Sequence, residues 1–311
     1  MKQYLNINDI SNISETIQEA IELKKNPFQF KDLGSNKTLV MLFFNSSLRT
    51  RLSTEKAAKN LGMDVMVLNV SNTWNLEFED GTIMNLNKAE HIKEAAQVIS
   101  EYADIIAVRA FPNLQDQEKD EADIVLKSFQ KYATVPVVNM ESSTAHPLQA
   151  LTDALTISEL KTIKKPKVVL SWAPHPKALP HAVANSFIAM MKELEVDFQI
   201  THPKGYELNP TIVGEVALNY NQEEALKDAD FVYVKNWSSY QDYGRVLTTD
   251  ESWMITQEKL GNAKFMHCLP VRRNMVVEDA VLDSDNSVVI QQAGNRTFAA
   301  QVVLKKILEN L

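Results

Sequence analysis

Short runs rich in Val, Ile, Leu and Phe recur along this chain, alternating with longer stretches in which apolar residues return every three or four positions. The first pattern fits a strand buried on both faces, the second an amphipathic helix. In the first half the strand runs are Thr38 to Phe44, Asp64 to Val70, Asp104 to Arg109 and Val135 to Met140, with helical stretches near Thr50 to Asn60, Ala89 to Tyr102 and Glu118 to Tyr132. The alternation resumes with strand runs at Lys167 to Trp172, Val196 to His202, Phe231 to Lys235, Lys264 to Cys268 and Ser287 to Gln291, and with helices near Leu179 to Leu194, Glu223 to Asp228 and Thr297 to Asn310. Strands alternating with helices predict parallel sheets covered on both faces, with ligands at the carboxyl ends of the strands. The pattern thus predicts an α/β protein of two doubly wound parallel-sheet domains, residues 1–146 and 147–294, joined by bridging helices, one of them the stretch from Pro147 to Lys161. No internal repeat or low-complexity segment interrupts it.

Composition agrees with this division and narrows the partners. A length of 311 residues corresponds to about two domains, and 45% hydrophobic content can fill two cores. Lys plus Arg number 32 against 40 Asp plus Glu, a net charge of −8, so no global positive field draws in nucleic acid or an anionic membrane. Any anion site must be local. The single cysteine, Cys268, excludes an intrachain disulfide and fits a reducing compartment. The start of the chain has no basic patch before an apolar run, and no apolar stretch approaches a membrane span. A cytoplasmic enzyme or binding protein is expected. Only 8 glycines are present, and none form G-x-G-x-x-G or a Walker loop. H-E-x-x-H, paired C-x-x-C and G-x-S-x-G are absent too, so neither a nucleotide cofactor nor a metal is expected.

The chemistry gathers where strands are predicted to end. Phe43-Phe44-Asn45-Ser46-Ser47-Leu48-Arg49-Thr50-Arg51 joins a strand run to a helical stretch, where the first helical N–H groups lack partners and carry partial positive charge. Ser47, Arg49, Thr50 and Arg51 would add hydroxyls and guanidiniums to a phosphate cradle; the simpler reading is a Ser N-cap followed by two solvent-facing arginines. Arg109 closes one strand run, Glu141 follows another, and His146 would cap a helix beginning at Pro147 with Gln149 in its first turn. His175 and His181 flank a proline-rich turn, Asn185 comes one helical turn later, Lys235 ends a strand run, and His267-Cys268-Leu269-Pro270 is followed by Arg272 and Arg273. Arg296 falls just past the last predicted strand. A lone histidine is usually a satisfied hydrogen-bonder and a lone cysteine a small hydrophobe. It is the repetition at successive strand ends that points to a site.

The order Ser-x-Arg-Thr-Arg, His-Pro-x-Gln, His-Cys-Leu-Pro and then Asn-Arg resembles the aspartate and ornithine carbamoyltransferases, nearly end to end. The resemblance implies the aspartate/ornithine carbamoyltransferase fold, with a C-terminal helix, 295–311, packing back on the first domain. It implies carbamoyl phosphate contacts at Ser47, Leu48, Arg49, Thr50, Trp74, Arg109, His146, Gln149, Cys268, Leu269 and Arg296, with Arg109, His146, Cys268 and Arg296 in catalytic roles. Many members carry Thr where this chain has Leu48, so a contact there must come from the backbone N–H. Carbamoyl phosphate is a mixed anhydride, and attack by an amine expels phosphate without a cofactor if positioning and charge stabilisation are supplied. Either the departing phosphate or Cys268 is open as the proton acceptor.

The second half departs from ornithine enzymes, which grip a free amino-acid head group with an Asp and a Ser-Met-Gly. This chain has Lys235-Asn236-Trp237 instead, and resembles the branch that carbamoylates N-acylated ornithine. That branch implies acceptor contacts at Ala89, Phe111, Glu141, His175, Asn185, Lys235, Leu269 and Arg272, with Lys235 and Arg272 pairing with the α-carboxylate. The acetyl branch carries a glutamate at the position aligned with Ala89. A small neutral residue leaves room for a succinyl carboxylate, so the expected acceptor is N-succinyl-L-ornithine, giving N-succinyl-L-citrulline and phosphate in arginine biosynthesis. N-acetyl-L-ornithine is the alternative, because Glu90 would oppose succinyl if the register slipped by one. Lys88 would attract that carboxylate or face solvent. Trp74, in the loop Ser71 to Gly81, is either a local core plug or, as in the family, part of a neighbouring subunit's site, which requires a homotrimer. A non-catalytic binder of a phosphorylated metabolite is the contrasting class.

Overall fold

The computed structural model describes residues 1–70 and 74–311; residues 71–73, at the start of the loop carrying Trp74, lie outside the described residues. The chain divides into two compact units. The first comprises Met1–Asn113, Glu118–Leu151 and Arg296–Leu311, and the second Leu114–Gln117 and Thr152–Asn295. The divisions at Leu151/Thr152 and Asn295/Arg296 fall inside the helices Pro147–Leu160 and Val289–Leu308.

In the first unit, β1 (Thr38–Phe43), β2 (Asp64–Asn69), β3 (Leu76–Glu77), β4 (Glu90–His91), β5 (Ile105–Arg109) and β6 (Val137–Glu141) follow in chain order. Four of them form a parallel sheet ordered β2-β1-β5-β6. The Leu, Val, Met and Phe side chains of β1 are buried on both faces because β2 and β5 flank it and helices cover it, as expected of a continuous apolar run. The helix Leu48–Asn60 starts where Ser47 Oγ accepts the Thr50 N–H at 3.2 Å. It hands over to β2 through Gly62 at φ 83°, where a Cβ would meet the Lys31 carbonyl oxygen at 1.9 Å. The helix Ile92–Tyr102 buries Ile92, Ala95, Ala96 and Ile99 against Val40, Ile106 and Val108.

The second unit holds β7 (Lys167–Ala173), β8 (Asp197–Thr201), β9 (Ala217–Asn219), β10 (Phe231–Asn236) and β11 (Lys264–Met266) in a parallel sheet ordered β11-β10-β7-β8-β9. Its core sets Val169, Val232, Val234 and Phe265 against Ile255, Leu260, Val276 and Val281. Trp237 is fully buried and stacks on Tyr206 at 5.0 Å, so it is core here.

Two stretches fold otherwise than their local pattern predicts. Ser287 to Gln291 is not a strand: Ser287 makes only an isolated bridge to Phe265, and the helix begins at Val289 and runs to Leu308. The β-branched Val288-Val289-Ile290 favours a strand locally, but once the Val288 N–H has bonded Phe265 O at 3.0 Å the chain turns into a helix packed over its length. Arg296 therefore sits inside a helix rather than after a strand. The stretch Glu118 to Tyr132 is two helices, Gln117–Ala122 and Ile124–Tyr132, broken by Asp123 in the left-handed region at φ 50°. The two-residue pair β3-β4 and the edge strand β9 are too short to show a period in sequence.

Candidate active site

Strand order dictates where each unit can receive a ligand. From β1 the chain goes to β2 on one side and then to β5 on the other, so the order of strand addition reverses between the parallel neighbours β1 and β5. The crevice past the carboxyl ends of two such strands is open, because their connections leave in opposite directions. The β1 end carries Ser47 and the start of the helix Leu48–Asn60, and the β5 end is Arg109 itself.

The side chains there form one connected set. Thr50, 1% exposed, is its hub: its Oγ1 accepts from Arg109 Nη1 at 3.1 Å and from Arg296 Nη2 at 2.8 Å. Arg296 also donates through Nη1 to Gln149 Oε1, and Arg109 Nη1 donates to Glu141 Oε2. The same Glu141 oxygen lies 3.2 Å from His146 Nε2. Gln149, Arg296, Thr50, Arg109, Glu141 and His146 are thus contiguous, all buried, and come from the β5 and β6 ends and three helix segments. Two guanidiniums converge on one neutral hydroxyl, with the Glu141 carboxylate beside Arg109, so the set gathers cationic groups out of water. With the N–H groups at the helix start beside it, the set is suited to an anion.

A register irregularity aligns Glu141 with Arg109. Val108 pairs with Asn139, but Arg109 pairs with Glu141, leaving Met140 as an extra residue. In regular register Arg109 would face Met140, and Glu141 would point to the opposite side of the sheet. The bulge sets the two charged side chains adjacent. Phe111 stacks its ring 4.3 Å from the Arg109 guanidinium and donates its backbone N–H to Asn45 Oδ1 at 2.6 Å. Leu48 is 68% exposed, Arg49 half-buried in the first helical turn, and Arg51 exposed.

In the second unit the order of strand addition reverses between the parallel neighbours β7 and β10. His175 follows β7, and Lys235, buried, lies near the end of β10. Lys235 Nζ donates to Cys268 Sγ at 3.4 Å, and Arg272 Nε donates to His175 Nε2 at 3.2 Å. Since a guanidinium only donates, His175 Nε2 must be the acceptor, so Nδ1 carries the proton and donates to the Lys177 carbonyl at 2.7 Å. Burial, with Arg272 and Lys235 nearby, holds the His175 pKa below its ordinary value, consistent with that neutral tautomer. Leu269, at φ 57°, bonds its N–H to His267 Nδ1 at 2.8 Å. Asn185 stands one turn after His181 on the helix Ala182–Lys192, its N–H bonded to the His181 carbonyl at 2.8 Å. This second cluster is cationic as well, suited to a carboxylate.

Residues 2–159 match the family described as aspartate/ornithine carbamoyltransferase, carbamoyl-P binding domain, and residues 180–307 match aspartate/ornithine carbamoyltransferase, Asp/Orn binding domain. The chain belongs to the aspartate/ornithine carbamoyltransferase family. It is 48% identical to the N-succinylornithine carbamoyltransferase of Bacteroides fragilis, with 100% of both chains covered. It is 35% identical to the N-acetylornithine carbamoyltransferase of Xanthomonas axonopodis pv. citri, covering 98% of this chain and 96% of the relative. Among solved structures, a glutamate-to-alanine mutant of N-acetyl-L-ornithine transcarbamylase, complexed with carbamyl phosphate and N-succinyl-L-norvaline, superposes with a TM-score of 0.91 at 35% identity, covering 99% of this chain and 100% of that one. The protein is thus a carbamoyltransferase rather than a non-catalytic metabolite binder.

In this carbamoyltransferase the residues singled out from sequence fall into separate groups. Thr50, Arg109, Glu141, His146, Gln149 and Arg296 are contiguous in the first unit, and His175, Lys235, Cys268 and Arg272 cluster in the second. Trp74, half-buried, packs against the core of its own unit and donates Nε1–H to Glu90 Oε2 at 2.9 Å. Ala89 donates its N–H to Asn75 O at 2.8 Å, and Lys88 Nζ donates to Leu76 O at 2.8 Å. Sequence reasoning missed Asn45 as the partner of Phe111. The signal was its place inside the cradle motif, between a strand and the helix cap.

Proposed function

We propose that this carbamoyltransferase transfers the carbamoyl group of carbamoyl phosphate to the side-chain amine of N-succinyl-L-ornithine, giving N-succinyl-L-citrulline and phosphate, in arginine biosynthesis. The observation that carries the donor half is Thr50 holding two buried arginines, Arg109 and Arg296, with a helix start beside them. The phosphate binds the N–H groups and side chains from Ser47 to Thr50. Arg109 and His146 donate to the carbonyl oxygen, on which negative charge grows as the amine attacks, and Gln149 takes the amide. Arg296 neutralises the leaving phosphate. The attacking amine arrives neutral, and the departing phosphate is basic enough to take its proton. Residues 1–146 with the C-terminal helix form the carbamoyl phosphate domain, and residues 147–294 the acceptor domain. The cationic cluster of Lys235 and Arg272 supports capture of the α-carboxylate, with His175 orienting Arg272.

Residue 89 decides the acyl group. Glutamate-to-alanine, glutamate-to-valine and glutamate-to-serine mutants of the N-acetyl-L-ornithine transcarbamylase are each complexed with N-succinyl-L-norvaline, which is N-succinylornithine without its amine. We align Ala89 with the acetyl branch's glutamate. The neighbouring Glu90 carboxylate is engaged by Trp74, which supports the register in which Ala89 is the residue facing the acyl tail. The identity of 49% to the N-succinylornithine carbamoyltransferase of Bacteroides thetaiotaomicron points the same way. Exposed apolar side chains on consecutive elements, Leu48 and Leu52 on one helix and Met66 and Leu68 on β2, support assembly into a homotrimer, with Trp74 reaching a neighbour's site. The lone thiol, Cys268, fits a cytoplasmic location.

The test is Ala89→Glu. A carboxylate facing the succinyl carboxylate costs several kcal/mol, so kcat/KM for N-succinylornithine should fall roughly 100-fold or more while that for N-acetylornithine rises. Equal loss with both acceptors would remove residue 89 from the specificity argument.

A further inference from the structure

We infer that Asp123 is a positioning residue for the reaction, acting through His146 by holding the turn that links Glu141 to it. Asp123 lies between the helices Gln117–Ala122 and Ile124–Tyr132 with φ 50° and ψ 43°, a conformation in which an L side chain crowds its own backbone. It occupies the N-cap position, yet its side chain makes no capping bond to its own helix. The carboxylate, in a residue 6% exposed, turns instead to the segment after β6. Oδ2 accepts from Ser142 Oγ at 2.6 Å and from Thr144 Oγ1 at 2.8 Å, and Oδ1 accepts from the Ser143 N–H at 3.3 Å. A buried carboxylate is thus met by two hydroxyls and an amide rather than by a lysine or arginine, all within three consecutive residues.

Those three residues, with Ala145, connect Glu141 to His146. Ser142 closes the turn by donating its N–H to Ala145 O at 2.8 Å, and its hydroxyl accepts from the Ala145 N–H at 3.3 Å and from Asn139 Nδ2 at 3.3 Å. His146 then starts the helix Pro147–Leu160, its carbonyl accepting the Gln149 and Ala150 N–H groups at 3.1 and 3.2 Å. The Asp123 carboxylate therefore fixes the only covalent path between two side chains whose 3.2 Å contact belongs to the site. Backbone strain and a buried charge, neither used by its own helix, are both spent on one turn. The inference rests on the proposed role of His146 at the carbonyl oxygen.

Glycine takes φ 50° without strain, so Asp123→Gly removes the carboxylate while relieving the backbone. Asp123→Asn also tolerates this conformation and keeps one acceptor. With carbamoyl phosphate and N-succinylornithine, kcat should fall roughly 10- to 100-fold in Asp123→Gly and less in Asp123→Asn, because small misplacements of a reacting group cost that much. Three hydrogen bonds to a buried carboxylate are lost while the backbone is relieved, so the urea midpoint of Asp123→Gly should fall but leave the protein folded under assay conditions, and binding of inorganic phosphate by calorimetry should match the parent. The double variant Asp123→Gly/His146→Ala should be no slower than His146→Ala, since the first change acts through the second residue. Unchanged kcat in Asp123→Gly, a loss of activity that tracks unfolding under assay conditions, or full multiplication of the two losses would each overturn the inference. Unchanged turnover in His146→Ala alone would instead overturn the reading of the site.

Discussion

The Glu141→Gln substitution tests the electrostatics of the first unit, because one carboxylate oxygen there is shared by two donors. Arg109, Glu141 and His146 have side chains 7%, 8% and 3% exposed, so water screens little of their interaction. Gln keeps the shape and can still accept from Arg109, but it removes the negative charge beside that buried guanidinium. Breaking a buried pair costs about 3–5 kcal/mol, and the surviving hydrogen bond puts the expected loss near the lower end, about 3 kcal/mol. In the free enzyme the urea midpoint at 25 °C should therefore drop. Carbamoyl phosphate brings a dianion to the same guanidinium, so its affinity should rise, roughly tenfold if about 1.4 kcal/mol of the lost compensation is recovered. Saturating ligand should then narrow the stability gap between variant and parent. Equilibrium urea unfolding with and without carbamoyl phosphate, paired with titration calorimetry, gives both numbers. A variant with the parent's midpoint and the parent's affinity would refute the view that Glu141 balances buried cationic charge.

Acid should destabilise the second unit through His181, whose burial lowers its pKa from 6.5 to about 4. The unfolded chain takes up that proton first on acidification, so stability is full above about pH 6.5 and falls toward pH 4, by up to about 3 kcal/mol. His181→Phe should flatten the slope of the urea midpoint against pH in that window, and an unchanged slope would exclude His181 as its source. Mixing inactive Trp74→Ala subunits with inactive Arg49→Ala subunits should restore part of the activity if sites are shared between subunits. No recovery after demonstrated exchange would leave Trp74 as a plug in its own unit's core, where it bonds Glu90.

The architecture was legible because it rests on local periodicity: the runs of β1, β5, β7 and β10 are buried, and those of β1, β5 and β7 are followed by a helical pattern. The site motifs were legible for a related reason, since chemistry at strand ends interrupts apolar runs with charge. What sequence could not supply was pairing. Thr50 meets Arg296 from 246 positions away, and nothing local marks it as a hub rather than a helix-turn threonine. Glu141 was visible as a strand-end acid, but its partnership with Arg109 depends on a bulge at Met140 that no pattern announces. Asp123 sat inside a long helical period, and only its backbone angle reveals that the helix breaks there. The β-branched Val288 to Ile290 misled because propensity competes with packing, and the terminal helix won.

Donor and acceptor are tested together by steady-state turnover of carbamoyl phosphate with N-succinyl-L-ornithine, N-acetyl-L-ornithine, L-ornithine and L-aspartate offered in parallel. The expected result is phosphate release and citrulline-type product with N-succinylornithine, at a kcat/KM roughly 100-fold or more above that for N-acetylornithine, and no turnover of the two free amino acids. Efficient carbamoylation of N-acetylornithine with N-succinylornithine ignored would contradict the acyl-group assignment.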